Sequence, residues 1–286
     1  MLTIEARAKI NLTLDILGQR PDGYHEVEML MQSVGLSDTI TLKKAETEGV
    51  FLTCSLPGLP VDEKNLAYRA ARLFLDQYQL KEGVEIVLEK RIPMAAGLAG
   101  GSADAAAVLR GMALLFSTNT ELEELCRMGA MLGSDIPFCI CGGTMLATGR
   151  GEKLTEVTDL PECWVVLAKP PADVSTAWVY QKYDEQPAEK RPDTEKMLQA
   201  LEKNDLYSVS RLLCNVLESV TIRRYPEIQM YKERMDANGA LASLMSGSGS
   251  TVFCLTDEEE TARNIAEDLR SHTAAKVFVT KTVSRN

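Results

Sequence analysis

The sequence predicts an α+β fold divided between two domains, and three observations carry the prediction. Residues 2–16 alternate strictly: Leu2, Ile4, Ala6, Ala8, Ile10, Leu12, Leu14 and Ile16 fall on one face and Thr3, Glu5, Arg7, Lys9, Asn11, Thr13 and Asp15 on the other. Period two is the signature of a strand with one buried face. Helical and strand periodicities then interleave, but the hairpin-like start argues for α+β rather than a purely parallel βαβ sheet. Finally, Asp159-Leu160-Pro161 interrupts the pattern, which places a boundary there and gives domains 1–158 and 159–286.

Fifteen alternating residues are long for one strand, so a bend or bulge is expected. Pro21-Asp22-Gly23 is a turn, leading to an extended stretch from Tyr24 toward Val34. Strands are expected at Asp38–Lys43, Gly49–Ser55 and Val84–Glu89. A helix at Asn65–Tyr78 carries the stripe Leu66, Ala70, Leu73 and Phe74. Ala105–Phe116 and Glu121–Leu132 read as helices, Gly133–Phe138 as a loop, and the apolar Cys139–Cys141 as a strand, with Met145–Thr148 returning the chain. In the second domain, strands are expected at Cys163–Ala168, Thr251–Leu255 and Ala275–Thr280. Helices are expected at Ser175–Tyr183, Glu195–Lys203, Leu206–Leu217, Pro226–Ala237 and Asp257–Ser271.

Composition excludes several classes. The 286 residues carry 31 Lys+Arg against 41 Asp+Glu, a formal net charge of −10. A phosphate-backbone binder needs clustered basic residues and a membrane-surface protein a polybasic patch, so neither a nucleic-acid nor a membrane partner is expected. Small anions stay open, because they are held by local dipoles and one or two cations. No run of 18 apolar residues suggests a membrane span, and residues 1–16 read as a strand rather than a leader. The seven cysteines (54, 126, 139, 141, 163, 214, 254) form no CxxC pair and there are two histidines, His25 and His272. A structural zinc is therefore not expected, and reduced thiols in a cytoplasmic protein are.

Four motifs carry chemistry. Gly97-Leu98-Ala99-Gly100-Gly101-Ser102 directly precedes an alanine-rich helix. Glycines let the backbone approach a ligand closely, and the free N–H groups at a helix start attract anions. Ser102 is a candidate N-cap whose hydroxyl could reach a phosphate or Mg²⁺. The alternative is a tight strand-to-helix turn. The loop is neither GxxxxGK[ST] nor GxGxxG. Asp135, between Gly133-Ser134 and Ile136-Pro137, is expected to be partly buried, where a carboxylate needs a partner. Lys9 is the basic side chain to bring toward it, and such a pair suits phosphoryl transfer. Ser246-Gly247-Ser248-Gly249-Ser250 is a flexible turn or a second anion-contacting loop. Tyr24-His25 is a structural turn or a surface for a flat ring.

Taken together and in this order, Ala8-Lys9-Ile10-Asn11-Leu12, Gly23-Tyr24-His25-Glu26, Pro93 to Ala106 with the glycine loop, Gly133-Ser134-Asp135-Ile136-Pro137-Phe138 and Ser246-Gly247-Ser248-Gly249 resemble the GHMP kinase superfamily over nearly the whole chain. The first two segments resemble the branch whose substrate carries a cytidyl diphosphate. The resemblance implies a ribosomal-protein-S5-domain-2-like N-terminal domain and a ferredoxin-like C-terminal domain. It implies ATP as phosphoryl donor, with Mg²⁺, and a small-molecule partner, a cytidyl diphosphate conjugate of methylerythritol phosphorylated on its 2-hydroxyl in the non-mevalonate isoprenoid precursor route. It implies Lys9 and Asp135 as catalytic residues. Pro93, Gly97, Leu98, Ala99, Gly100, Gly101 and Ser102 would hold ATP, and Asn11, Tyr24, His25, Asp135, Thr176, Tyr180, Gly247 and Ser248 the substrate. No metal ligand is assigned beyond Ser102 as a candidate. Ala99 and Ala103 stand where Gly and Ser are commoner in the family. A monomer or weak homodimer is expected. The alternatives are another GHMP-type kinase, acting on mevalonate-like or homoserine substrates, and a catalytically silent nucleotide-binding regulator.

Overall fold

Strand β1 (Leu2–Gln19) begins as the alternation predicts and then departs from it. In a computed structural model describing residues 1–285, exposure alternates over the first residues, but Ala8 to Ile16 are buried on both faces. Lys9, Asn11, Thr13 and Asp15 are only 4%, 0%, 0% and 6% exposed, so the expected solvated face is covered. Burial of these groups is tolerated because each finds a partner. Thr13 Oγ1 accepts from Leu30 N–H at 3.0 Å, Asn11 Nδ2 lies 3.4 Å from Met29 Sδ, and Asp15 pairs with Arg191 at 2.8 Å.

The chain forms two compact units, one of residues 1–8, 36–94 and 99–141, the other of residues 9–35, 95–98 and 142 onward. This division interleaves segments and does not follow a single cut at 158/159. Its cause is strand length: β1 has 18 residues and β2 (His25–Ala45) has 21, and each contributes to both units.

In the first unit, β3 (Val50–Cys54) runs parallel to β4 (Gly83–Glu89). β4 pairs antiparallel with the C-terminal part of β2, from Thr39↔Glu89 to Ala45↔Gly83. Its helices are α1 (Leu66–Gln77), α2 (Gly100–Phe116), α3 (Leu122–Leu132) and α4 (Ile136–Cys141). Asn65 caps α1, its side chain accepting from Ala67 N–H at 2.9 Å. Helix α2 packs closely because Gly111 has no side chain: a Cβ there would lie 2.4 Å from Leu42 Cδ1 and 2.8 Å from Ile4 Cδ1. The strand expected at Cys139–Cys141 is the end of α4. A short apolar run does not distinguish a strand from a buried helix, and Pro137 is tolerated in a first turn.

In the second unit, β1 pairs parallel with β8 (Cys214–Asn215) at Thr13↔Cys214. β2 pairs with β5 (Thr144–Thr148), and β5 with β6 (Lys153–Glu156). A separate antiparallel sheet has the order β11 (Lys276–Lys281), β7 (Trp164–Lys169), β10 (Val252–Thr256), β9 (Ala242–Met245). In chain order this is 4-1-3-2, the ferredoxin-like arrangement. The helices are α5 (Thr176–Glu185), α6 (Thr194–Glu202), α7 (Leu206–Leu212), α8 (Glu218–Arg224), α9 (Glu227–Ala237) and α10 (Glu259–His272). The single helix expected at Leu206–Leu217 is therefore α7 followed by β8, and α8 was not legible.

Candidate active site

The alternation of β1 sends Lys9 and Asn11 to the same side, and the second unit is built around them. Lys9 Nζ donates to Asn11 Oδ1 at 2.7 Å and to the Gly97 carbonyl at 3.1 Å. The Lys9 N–H donates to the Leu98 carbonyl at 3.2 Å. The Gly97 carbonyl also accepts from Ser246 Oγ at 2.9 Å. Gly97 has φ +72°, and a Cβ on it would lie 2.1 Å from the Ser246 carbonyl oxygen. Only glycine fits this crossing.

The Ser246–Ser250 loop is buried throughout, not the flexible turn its composition suggests. Asn215 Nδ2 donates to the carbonyls of Met245 and Gly247, both at 2.8 Å. Ser248 Oγ lies 2.8 Å from Thr176 Oγ1, at the start of α5, so two of the expected substrate residues meet. Ser250 Oγ donates to the Ala172 carbonyl at 2.6 Å. Asn215 was not foreseen, because nothing near it in sequence hints at a partner thirty residues on.

His25 and Tyr180 also come together. Their ring centroids are 4.9 Å apart and tilted by 46°, and His25 Nε2 is 2.8 Å from Asp184 Oδ1. Asp184 comes four residues after Tyr180 on α5 and so shares its face, a spacing that could have found it in the sequence. Tyr24 sits apart from this pair in its contacts: it is 55% exposed, and the Arg150 guanidinium lies over its ring at 4.9 Å. Arg150 was likewise missed.

The first unit holds the rest of the glycine loop and Asp135. Pro93 is half-buried. Ala99 precedes α2 in the left-handed conformation, φ +56° and ψ 30°, with no side-chain cap bond. The first helical bond runs from Ala103 N–H to the Ala99 carbonyl at 2.8 Å. The N–H groups of Gly100, Gly101 and Ser102 thus belong to the open first turn, where the helix dipole favours an anion. Ser102 is inside that turn, one of its residues rather than its N-cap, because the helix starts at Gly100, ahead of its alanine run. Its hydroxyl remains available to a phosphate or a phosphate-borne cation. Asp135 is half-buried, as expected. Its carbonyl accepts from Cys139 N–H at 3.1 Å and starts α4. Among the described residues no group of three or more His, Cys, Asp or Glu side chains is placed to hold a metal ion.

A glycine loop opening a helix, in a chain that also carries a ferredoxin-like sheet, agrees with the class of small-molecule kinases that the sequence motifs resemble. The chain belongs to the GHMP kinase family: the description "GHMP kinases N terminal domain" matches residues 65–143 and "GHMP kinases C terminal" residues 197–275. Among its relatives, 4-diphosphocytidyl-2-C-methyl-D-erythritol kinase of Bacillus pumilus is 50% identical over 266 residues, covering 93% of this chain and 92% of that one. The kinase of the same name from Exiguobacterium sibiricum is 47% identical over 285 residues, covering 100% and 99%. A crystal structure of 4-(cytidine 5'-diphospho)-2C-methyl-D-erythritol kinase superposes with a TM-score of 0.84 at 34% identity, covering 98% of this chain and 99% of that one. Homoserine kinase from Cytophaga hutchinsonii, 20% identical with a TM-score of 0.77 over 99% of this chain and 95% of that one, shares the fold.

Proposed function

We propose that this chain transfers the γ-phosphoryl group of ATP to the 2-hydroxyl of 4-diphosphocytidyl-2-C-methyl-D-erythritol, a step of the non-mevalonate route to isoprenoid precursors. One observation carries the reading: identity near one half, over almost the full length of both chains, to kinases of that name.

The work is divided among two loops, β1 and a set of aromatic side chains. The N–H groups of Gly100, Gly101 and Ser102, with Gly97, Leu98 and Ala99 shaping the loop behind them and Pro93 leading into it, receive the nucleotide's phosphates. Asp135 orients the acceptor hydroxyl and takes its proton as the oxygen–phosphorus bond forms and the bond to the ADP oxygen breaks. Lys9 steadies the developing negative charge, held in place by Asn11 and the Gly97 carbonyl. Tyr24, His25 and Tyr180 offer aromatic faces for the cytosine ring, and Asn11, Thr176, Gly247 and Ser248 polar groups for the rest of the substrate. Mg²⁺ bound with ATP supplies charge neutralisation of the phosphate oxygens, and the Ser102 hydroxyl is its candidate protein donor. The protein acts as a monomer or weak homodimer.

The test is ADP release with the cytidyl conjugate as acceptor, run beside mevalonate and homoserine. Turnover confined to the cytidyl conjugate supports the reading. Turnover only with another acceptor would move the chain to a different member of the family. Nucleotide binding with no turnover on any acceptor would make it a silent regulator. Asp135→Asn is expected to lower kcat by at least ~10²-fold, the ordinary range for a general base, while ATP still binds. Wild-type turnover in that variant would refute the assignment of the base.

A further inference from the structure

Beneath the glycine loop, in the first unit, lies a cluster of three charges that the reaction does not use. Lys90, the residue after β4, has a side chain 6% exposed, against 0% for Asp38 on β2 and 3% for Asp104 on α2. Lys90 Nζ donates to Asp38 Oδ2 and, at 2.8 Å, to Asp104 Oδ2. Asp38 Oδ1 accepts from the backbone N–H groups of Arg91 and Ile92, the latter at 2.8 Å. A Cβ on Gly100 would stand 3.4 Å from Lys90 Nζ, so the ammonium lies against the first residue of the helix.

Burying three charges is a poor way to stabilise a fold. Ion clusters of this kind are often matched or bettered by apolar residues of similar volume. Two carboxylates share one ammonium, and the second oxygen of Asp104, Oδ1, is buried with no hydrogen-bond partner. Burial, opposed by Lys90, pushes the Asp104 carboxyl up to about 7. What the cluster does provide is a fixed distance. Asp38 grips the backbone just before the loop, and Lys90 carries that grip to α2 just after it.

We propose that Lys90, held between Asp38 and Asp104, is a positioning residue that ties the leading end of the glycine loop to the start of α2 and so sets the geometry of the N–H groups that receive the nucleotide. This rests on the reading of that loop as the ATP cradle. It predicts a specific signature, since a loop held open for phosphates binds them without ordering itself first.

The experiment uses the full chain and measures MgADP affinity by calorimetry, KM for ATP and for the cytidyl substrate, and Tm. Lys90→Met is expected to weaken MgADP binding and raise the KM for ATP by at least ~10-fold, leaving the KM for the cytidyl substrate within ~2-fold, a split that marks loss of binding to one substrate only. Asp104→Asn, which keeps an acceptor oxygen facing Lys90, stays within ~3-fold of wild type in MgADP affinity, whereas Asp104→Leu loses at least ~10-fold. The Asp104 pair decides the matter if Lys90→Met does not fold. Variants with lowered Tm but wild-type MgADP affinity would overturn the proposal, as would equal losses toward both substrates. Wild-type protein that binds no MgADP would remove the reading of the loop itself, and this inference with it.

Discussion

Two glycine-serine loops serve this protein, and they are put to opposite uses. Gly97–Ser102 ends in an open helical turn, whose first N–H groups have no helical acceptor. Ser246–Ser250 is buried, and its backbone and hydroxyls are engaged with Asn215, Thr176, Ala172 and the Gly97 carbonyl. Similar composition thus yields one loop with open N–H groups and one whose groups are largely engaged within the protein. The two differ because of the element each loop enters. A helix leaves its first N–H groups without acceptors, while a strand pairs its own, as β10 does with β7 and β9.

Gly97→Ala should have the largest effect, because it strikes where the two loops cross. A methyl group 2.1 Å from the Ser246 carbonyl oxygen must displace one loop by about an ångström, and misplacement of that size costs on the order of 10²-fold in kcat/KM. Steady-state kinetics read it, and near-normal activity would mean the crossing is not rigid. Asn215→Ala comes next. It removes two donations to the carbonyls of Met245 and Gly247 and the acceptance from Leu217 N–H at 3.0 Å, about 3 kcal/mol at roughly 1 kcal/mol per bond, to be read as a lowered urea midpoint. Ser246→Ala removes one bond to Gly97 and should cost about 1 kcal/mol in the same measurement. Ala99→Gly is the smallest and runs the other way. Relieving a left-handed alanine should stabilise the protein by about 0.5–1 kcal/mol, the strain relieved less the added freedom of glycine in the unfolded chain, seen as a small rise in Tm.

Much of this was legible in the sequence where a local pattern decides it. The alternation of β1 placed Lys9 beside Asn11, and the glycines ahead of an alanine run marked the start of α2. Three strands of the ferredoxin-like sheet, β7, β10 and β11, were plain from their apolar runs, whereas β9 was not foreseen and the sheet itself was implied only by the family resemblance. Features set by distant partners were not legible. Burial of the polar face of β1 depends on Met29, Leu30 and Arg191, and the rigidity of Ser246–Ser250 on Asn215. Lys90, Asp38 and Asp104 carried no local signal of a cluster, since no spacing rule brings three separate segments to one point. The helix at Ile136–Cys141 was missed because a six-residue apolar run after Gly-Ser suits strand and helix equally.

The long first strand has a consequence for how the chain is made. Thr13 and Leu14 pair with Cys214 and Asn215, so this part of β1 waits for a segment synthesised about 200 residues later. At the usual pace of synthesis that wait is roughly 10–40 s, and pairings so distant in sequence also form slowly once both strands are present. Throughout that interval Thr13 and Leu14 lack their β8 partners, and that edge of β1 stays open.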